Sequence, residues 1–262
     1  MKKSSLLLLI VFSIKSLYAV DNDLILEEKF PKKLSDFHFF KDTHAQIPSN
    51  GVVPYELISS LFSDYSYKQR WVYIPEGKKA SFRKDKVFDF PVGSALIKTF
   101  YYPIDERNLS LGKKLMETRL LLRKQKGWEA VSYAWNENQD EAIIKKAGKT
   151  IIADWIDFKG ESRSVRYRVP NKNQCKECHS NNDAVMPIGP KARNLNKVYD
   201  YQDESINQLT KWMKLDYIDN IQTDLNTPVD WEDDNHSLEE RVRSYLDTVS
   251  YTHLTLPTIL LV

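Results

Sequence analysis

Between residues 70 and 169 the hydrophobic positions are gathered in short runs that are rich in β-branched and aromatic residues. Such runs favour strands, because these side chains pack well on a pleated surface. Turn-forming residues separate them, as at Pro75-Glu76-Gly77 and Lys159-Gly160. With no helical pattern between the runs, the spacing indicates an antiparallel sandwich or barrel-like domain. It predicts six strands, at residues 71–74, 95–102, 118–122, 130–135, 150–155 and 165–169.

Beyond Pro170 the apolar spacing becomes helical. Ser205 with Gln208, and Ser237 with Glu240, have the pattern of a capping box, which is typical of a helix start. Between the two predicted helices, residues 219–236 are polar and rich in aspartate, which indicates a loop or linker. The apolar residues that follow the two boxes at helical spacing are Ile206, Leu209, Trp212 and Met213, and then Leu238, Val242, Tyr245 and Leu246.

The N-terminus has the features of a secretory signal peptide. Lys2 and Lys3 precede an apolar run at residues 6–14, and Leu17-Tyr18-Ala19 resembles a small-residue cleavage site. The run is too short to span a bilayer, so we expect cleavage, a periplasmic location and no need of the membrane beyond export; an uncleaved anchor is the alternative. Removal of residues 1–19 changes the formal net charge from +2 to −1, which gives no reason to expect nucleic acid or an anionic membrane as partner.

The two cysteines of the chain both lie in Cys175-Lys176-Glu177-Cys178-His179, the C-x-x-C-H attachment motif of c-type haem. In that chemistry two thiols add to the vinyl groups of the porphyrin and the adjacent imidazole binds iron. The positions share one face of a helical turn, which Asn171 or Asn173 could cap. A redox dithiol, a local disulfide or half a zinc site are alternatives, but no second cysteine pair completes a structural zinc site. We expect one haem c, with His179 as the proximal iron ligand.

The iron ligand on the opposite side of the haem has several candidates. Met213 lies on the predicted helix after the motif, and Met186 lies seven residues beyond His179 in a proline-rich turn. Both rank ahead of three histidines from other parts of the chain, His38, His44 and His236. Each has a purely structural alternative, because methionine commonly fills gaps in cores and a lone histidine is often a hydrogen-bonded or solvated residue.

Two cations after the Pro190 turn, Lys191 and Arg193, could pair with the haem propionates, which are anionic and need charge-assisted partners. A solvated basic loop is the equal alternative. Arg166 and Arg168 alternate with apolar residues on one predicted strand and indicate an exposed strand face. The β-rich part contains no catalytic constellation, since it lacks a phosphate-binding loop, a G-x-S-x-G motif and the EF-hand spacing.

The last residues do not resemble natural protein sequence. Residues 249–258 read VSYTHLTLPT, which is similar to the translation of a transposase-end adapter used in preparing sequencing libraries. We therefore interpret residues 249–262 as translated adapter, with a genuine hydrophobic tail as the alternative. This interpretation removes His253 from the ligand candidates, and we expect the natural chain to continue beyond Asp247.

Longer segments over residues 54–248 carry a family resemblance. They are PYELISSLFSDYSYKQRWVYIPEG, DFPVGSALIKTFYYP, ETRLLLRKQKGWEAVSYAWNENQDEA, VPNKNQCKECH, PIGPKARNLN and SLEERVRSYLDT. In these segments the chain resembles an uncharacterised bacterial family of periplasmic di-haem c-type cytochrome proteins. In that family a segment similar to SLEERVRSYLD runs into a second C-x-x-C-H, so the resemblance implies two haems in the full-length protein and one in this chain.

The predicted fold class is α+β and multidomain, with an N-terminal antiparallel β-rich domain followed by a small α-helical cytochrome c-like haem domain. The β-rich domain, with an irregular N-terminal segment, covers residues 20–169, the haem domain 170–232, and the start of a second, truncated cytochrome c-like domain 233–248. We expect covalent haem binding and electron transfer with periplasmic redox partner proteins. A peroxidase- or oxidase-like haem enzyme with an open coordination site, or a ligand-binding β-domain with an accessory haem, are the alternatives.

Overall fold

The computed structural model describes residues 19–171, 174, 180–181, 184–222 and 224–253, with the backbone alone at 180–181 and 249–253. Strands dominate this part of the chain. They are β1 (Phe40–Asp42), β2 (Ile47–Pro48), β3 (Val52–Pro54), β4 (Tyr67–Tyr73), β5 (Ala95–Pro103), β6 (Lys113–Lys124), β7 (Gly127–Trp135), β8 (Ala142–Ile144), β9 (Lys149–Ile156), β10 (Ser162–Val169), β11 (Ser180–Asn181), β12 (Ala184–Val185), β13 (Val198–Asp200) and β14 (Ser205–Asn207). The helices are α1 (Asn22–Leu26), α2 (Ala192–Leu195), α3 (Gln208–Lys214) and α4 (Leu238–His253).

The centre of the fold is a six-stranded antiparallel sheet in the order β3-β4-β5-β6-β7-β8. Strands β9 and β10 form a separate antiparallel hairpin. The six predicted strands are confirmed as β4, β5, β6, β7, β9 and β10, with ends that differ by a few residues. The edge strands β3 and β8 were not predicted, because three residues are too few to show a period.

The first face of the central sheet packs against the N-terminal segment. Trp71, Ile97 and Leu120 lie directly opposite one another on β4, β5 and β6 and are almost completely buried. Phe37 and Phe39 from the N-terminal segment belong to the same core cluster, and their rings stack with centroids 5.1 Å apart. The N-terminal segment therefore contributes both aromatic and aliphatic side chains to the core, the latter including Ile25 and Leu34.

The second face of the sheet is covered at one end by the C-terminal segment. The side chain of Trp212 in α3 is completely buried in a cluster that includes Leu96 from β5. Its ring lies 5.9 Å from Tyr55, 5.8 Å from Phe88 and 6.4 Å from Phe90, measured between centroids. Helix α3 thus shares one core with the sheet.

This packing overturns the second half of the predicted fold class. In the described residues there is no small α-helical haem domain, since α2 and α3 are short and bury their apolar side chains against the sheet. A backbone hydrogen bond also joins the C-terminal segment to the β-rich part of the chain, because the Ala80 N–H donates to the Tyr217 carbonyl at 2.8 Å. The amphipathic pattern predicted α3 correctly. Such a pattern shows that a helix buries one face, but it does not show which surface that face packs against.

The two predicted capping boxes had different outcomes. Ser237 Oγ donates to Glu240 Oε2 at 2.7 Å, and α4 follows as predicted. Ser205 instead lies in β14, which pairs with β13. The cap of α3 is Asn207, whose side chain accepts from the Leu209 N–H at 2.9 Å. The apolar stripe of α4 is not buried as it would be in a core helix. Three residues of the stripe are exposed, namely Leu238, Val242 and Leu246.

The other end of the second face is covered by the β9–β10 hairpin. Trp155 and Tyr167 from the hairpin pack against Phe100 and Tyr102 of β5 in a third core cluster. The Tyr102 and Trp155 ring centroids are 4.9 Å apart. The second face therefore has a cover at each end, and the surface between the two covers is where the candidate site lies.

We expect Trp212→Ala to lower the free energy of unfolding by about 3–5 kcal/mol, because it removes a buried indole from the joint core. The loss should occur in a single transition shared by the sheet and the C-terminal segment, measured by chemical denaturation with circular dichroism and fluorescence. Leu215→Ala is the matched control, since Leu215 is 40% exposed in the same segment, and should change stability by less than about 0.5 kcal/mol. Two separate transitions, with one insensitive to Trp212→Ala, would contradict the shared core.

Candidate functional site

The C-x-x-C-H motif, with Cys175, Cys178 and His179, lies outside the described residues, whereas residues on both sides of it are described. The chain enters this segment from the end of β10 and leaves it towards β12 and α2. Residues on both sides of the motif line one cavity of about 440 Å³, which we call the central cavity; they are Pro170, Gln174, Ile188 and Gly189. Both ends of the segment that carries the motif therefore lie at this cavity.

A reciprocal cap leads into the motif. The Gln174 N–H donates to Asn171 Oδ1 at 3.0 Å, and the Asn171 N–H donates to Gln174 Oε1 at 3.0 Å. Each side chain thus accepts a hydrogen bond from the backbone N–H of the other residue, as in a capping box. Of the two predicted caps, Asn171 makes this bond, and Asn173 lies outside the described residues.

The turn after the motif depends on a glycine. Gly189 has φ +110°, and a Cβ there would lie 2.7 Å from Leu57 Cδ1. A side chain would add both backbone strain and a clash at this position. The glycine therefore allows the turn to close onto Leu57, which also lines the central cavity.

One side of the central cavity is formed by three cations on adjacent strands. The register places Arg70 of β4 opposite Lys98 of β5, and Lys98 opposite Arg119 of β6. We call these three residues the cationic row. Lys68 and Arg168 also line the cavity, whereas no carboxylate does so among the described residues. Like charges directly opposite each other destabilise a sheet, so sheet stability does not explain the row.

Glu117 neutralises part of this charge. It is fully buried, and its Oε1 accepts from the Arg119 guanidinium at 2.6 and 3.0 Å and from the Tyr167 hydroxyl at 2.5 Å. The row also contacts an aromatic face, because Lys98 Nζ lies 5.1 Å and Arg119 Cζ 4.4 Å from the centroid of Phe100. Cation–π contacts of this kind stabilise a charge without neutralising it.

Burial, and for the two lysines repulsion from neighbouring cations, disfavours the charged forms of Lys68, Arg70 and Lys98. Desolvation, followed by repulsion from Arg119 and Arg70, holds the pKa of Lys98 well below its usual 10.5. Desolvation and then Arg70 lower the pKa of Lys68 to about 8. Burial also lowers the pKa of Arg70. A nearby anion would favour the charged forms of all these side chains.

Apolar side chains form much of the remaining wall of the central cavity. They come from the loop after β3, from β5 and β6, and from the turn after the motif, and include Leu57, Leu61, Leu96, Leu121 and Ile188. Apolar walls beside a cationic row suit an amphiphilic anion. Haem, an apolar macrocycle with two carboxylates, belongs to this class, and the volume lies within the roughly 300–1,000 Å³ of ligand pockets. The residues present therefore fit the group that the motif predicts.

The two cations predicted for the haem propionates have another partner. Lys191 Nζ lies 3.0 Å from the Asp247 carbonyl and 3.3 Å from its Oδ2. Arg193 forms an ion pair with the same carboxylate. These contacts tie α2 to α4, and neither cation lines the central cavity in the described structure. Their role towards haem stays a prediction.

The two methionine candidates for the distal iron position also lie outside the lining of the central cavity. Met213 packs beside the Trp212 cluster, and its Sδ accepts from the Ile221 N–H at 3.4 Å. Met186 is half-buried two residues before Ile188, which does line the cavity. Neither assignment is tested by these contacts.

The histidine candidates do not line the central cavity either. His38 is exposed in the N-terminal segment, which packs on the first face of the sheet and not on the face that carries the row. His44 in that segment contacts the Gln139 carbonyl. His236 is exposed and lies 3.8 Å from Asp233.

The cationic row was missed by the sequence analysis. Lys98 and Arg119 interrupt predicted strands, and a cation within a buried strand was the one available signal. The pairing of these strands could not be read from their patterns, so the three charges could not be brought together. Arg168 was predicted on an exposed strand face; it is exposed, and it also lines the cavity.

A larger cleft of about 1,040 Å³ adjoins the central cavity, and Phe62, Lys68 and Arg70 line both. Two strongly exposed aromatic residues stand at this cleft, Tyr65 at 68% and Phe158 at 70% exposure. Exposed aromatic residues gathered at a cleft are typical of a binding surface. The central cavity and this cleft therefore share part of their lining.

Comparison with protein-family models, with curated proteins and with solved structures finds no match to this chain. In the described part of the chain, no helix combines the length and apolar character needed to span a membrane. Nor do the described residues contain a group of three or more His, Cys, Asp or Glu side chains suited to a metal ion.

We expect the haem-free protein with Cys175→Ala and Cys178→Ala to gain stability as the pH rises from about 8 to 10. The pKa of Lys68 is lowered to about 8 in the folded protein and that of Lys98 is also lowered, so the folded protein releases these protons more readily than the unfolded chain, and stability increases with pH. The slope should be at most about 1.4 kcal/mol per pH unit for each lysine. Above pH 10 the raised pKa of Tyr102 acts in the opposite direction.

Thermal unfolding at each pH measures this dependence. The variant Lys68→Met with Lys98→Met should show a flatter profile and a higher melting temperature at pH 8. Lys41→Met, which changes an exposed lysine, is the control and should keep the wild-type profile. Equal slopes in all three proteins would show that Lys68 and Lys98 carry no unfavourable charge in the folded protein.

Proposed function

We propose that this protein is a periplasmic c-type cytochrome that transfers electrons between redox partner proteins. The observation that carries the proposal is the C-x-x-C-H motif at residues 175–179, whose spacing matches the chemistry of covalent haem attachment. Cys175 and Cys178 would hold the haem, and His179 would bind the iron. A haem bound in this way supplies a one-electron couple whose potential depends on its axial ligands and burial.

The central cavity supports this proposal, because both flanks of the motif line it. Leu57, Leu61 and Ile188 would keep water from the apolar part of the group. The reciprocal cap between Asn171 and Gln174 orients the chain just before the first cysteine. The signal-peptide pattern at residues 1–19 agrees with attachment outside the cytoplasm.

A haem enzyme with an open coordination site is a second candidate function. Among the described residues, none of the candidate distal ligands lines the central cavity. The adjoining cleft, which shares Phe62, Lys68 and Arg70 with the cavity, would give a substrate access. A side chain outside the described residues that binds the iron would remove this candidate.

Export of the chain together with a cytochrome c maturation system tests the proposed function. We expect one covalent haem per chain in a pyridine haemochrome spectrum, and an intact mass that shows removal of residues 1–19. Cys175→Ser with Cys178→Ser is the control and should be exported without haem. Wild-type protein exported without haem, from cells that mature a known cytochrome, would sink the proposal.

Carbon monoxide separates the electron carrier from the enzyme. We expect the ferrous wild-type protein not to bind carbon monoxide, because in an electron carrier a side chain would hold the second axial position of the iron. Either Met186→Ala or Met213→Ala should then produce a carbon monoxide complex in the visible spectrum. Binding by the wild-type protein would favour the enzyme instead, and unchanged spectra in both variants would rule out both methionines as the ligand.

A further inference from the structure

The cationic row is a candidate site for an anion, and its position in the fold indicates which kind of anion it binds. We propose that Arg70, Lys98 and Arg119 bind the propionate carboxylates of the haem, an inference that rests on the proposed function. The row lies on the second face of the sheet, between the C-terminal segment and the β9–β10 hairpin. The motif-bearing segment connects these two covers along the chain and begins and ends at the same cavity.

The charges at the cavity favour a ligand with more than one negative group. Five cationic side chains line it, and no carboxylate does so among the described residues. Adjacent strands are about 4.8 Å apart, so Arg70 and Arg119, two strands apart, are separated by about 10 Å across the sheet. Two carboxylates on one ligand could therefore contact different members of the row.

Two members of the row have no carboxylate partner within the described residues. The side chains of Arg70 and Lys98 form no hydrogen bond and no ion pair there, whereas the guanidinium of Arg119 is held by Glu117. Lys191 and Arg193 differ in this respect, because both contact Asp247. A carboxylate that entered the central cavity would thus gain two cations without displacing a protein carboxylate.

A ligand with a carboxylate at this position could also be a free anion from solution. The apolar walls beside the row favour the haem, since a small inorganic anion gains nothing from leucine and isoleucine side chains. The two sources predict different behaviour when phosphate is added, and this difference forms one arm of the test.

The row should affect the reduction potential of the haem. Oxidation of the iron adds one positive charge, and nearby cations disfavour that charge, so they raise the potential. Removal of a cation that contacts a propionate should therefore make reduction less favourable. A cation outside the cavity is screened by solvent and should have little effect.

The test uses the exported, haem-loaded protein with Arg70→Gln and Lys98→Gln, singly and together. The double variant should have an equilibrium constant for reduction at least tenfold lower than wild type, about 59 mV for a one-electron couple. Arg123→Gln is the matched control, because Arg123 is on the same strand as Arg119 but does not line the cavity. It should change the constant by less than twofold. Arg119 is left intact, since its loss would leave Glu117 buried without its guanidinium partner.

The outcomes are separable from those of the proposed function, which fails if the wild-type chain carries no haem. With haem attached, an unchanged potential in the double variant would overturn the assignment of the row. A wild-type potential that depends on added phosphate, with a variant that does not respond, would also overturn it in favour of a free anion. If the double variant is not recovered folded, Lys98→Arg and Lys98→Gln carry the test, and the arginine should retain the wild-type potential.

Discussion

The rest of the structure depends on the need to bury both faces of one antiparallel sheet. Side chains alternate between the faces of β4, β5 and β6, and both sets contain large apolar residues. The N-terminal segment closes the first face. No single element closes the second face, which is covered at one end by the C-terminal segment and at the other by the β9–β10 hairpin.

The candidate site follows from this divided cover. Between the two covers, the alternation brings Arg70, Lys98 and Arg119 to the surface of the sheet, where apolar residues would otherwise be expected. The motif-bearing segment links one cover to the other, so its flanks line the same cavity. Like charges on adjacent strands disfavour a sheet, and we propose that the row binds an anion; stability given up for function in this way is common at binding sites.

Local features of this fold could be predicted, and its long-range features could not. Runs of β-branched and aromatic residues predicted six strands, and the capping box of Ser237 with Glu240 predicted the start of α4. The prediction of a separate helical haem domain was wrong because α3 packs against a sheet face whose residues are far away in sequence. The cap at Ser205 was wrong because pairing of β14 with β13 competes with a helix start. The C-x-x-C-H motif could be recognised in the sequence because its residues are close together in the chain. The cationic row could not, because only the register of three strands brings its residues together.

A crystal structure of the exported, haem-loaded protein tests the central claim most directly. We predict a haem joined to Cys175 and Cys178 beside the central cavity, with a propionate oxygen about 2.7–3.2 Å from a nitrogen of Arg70 or Lys98. Propionates directed at Lys191 and Arg193 instead, or a haem bound away from the cavity, would contradict it.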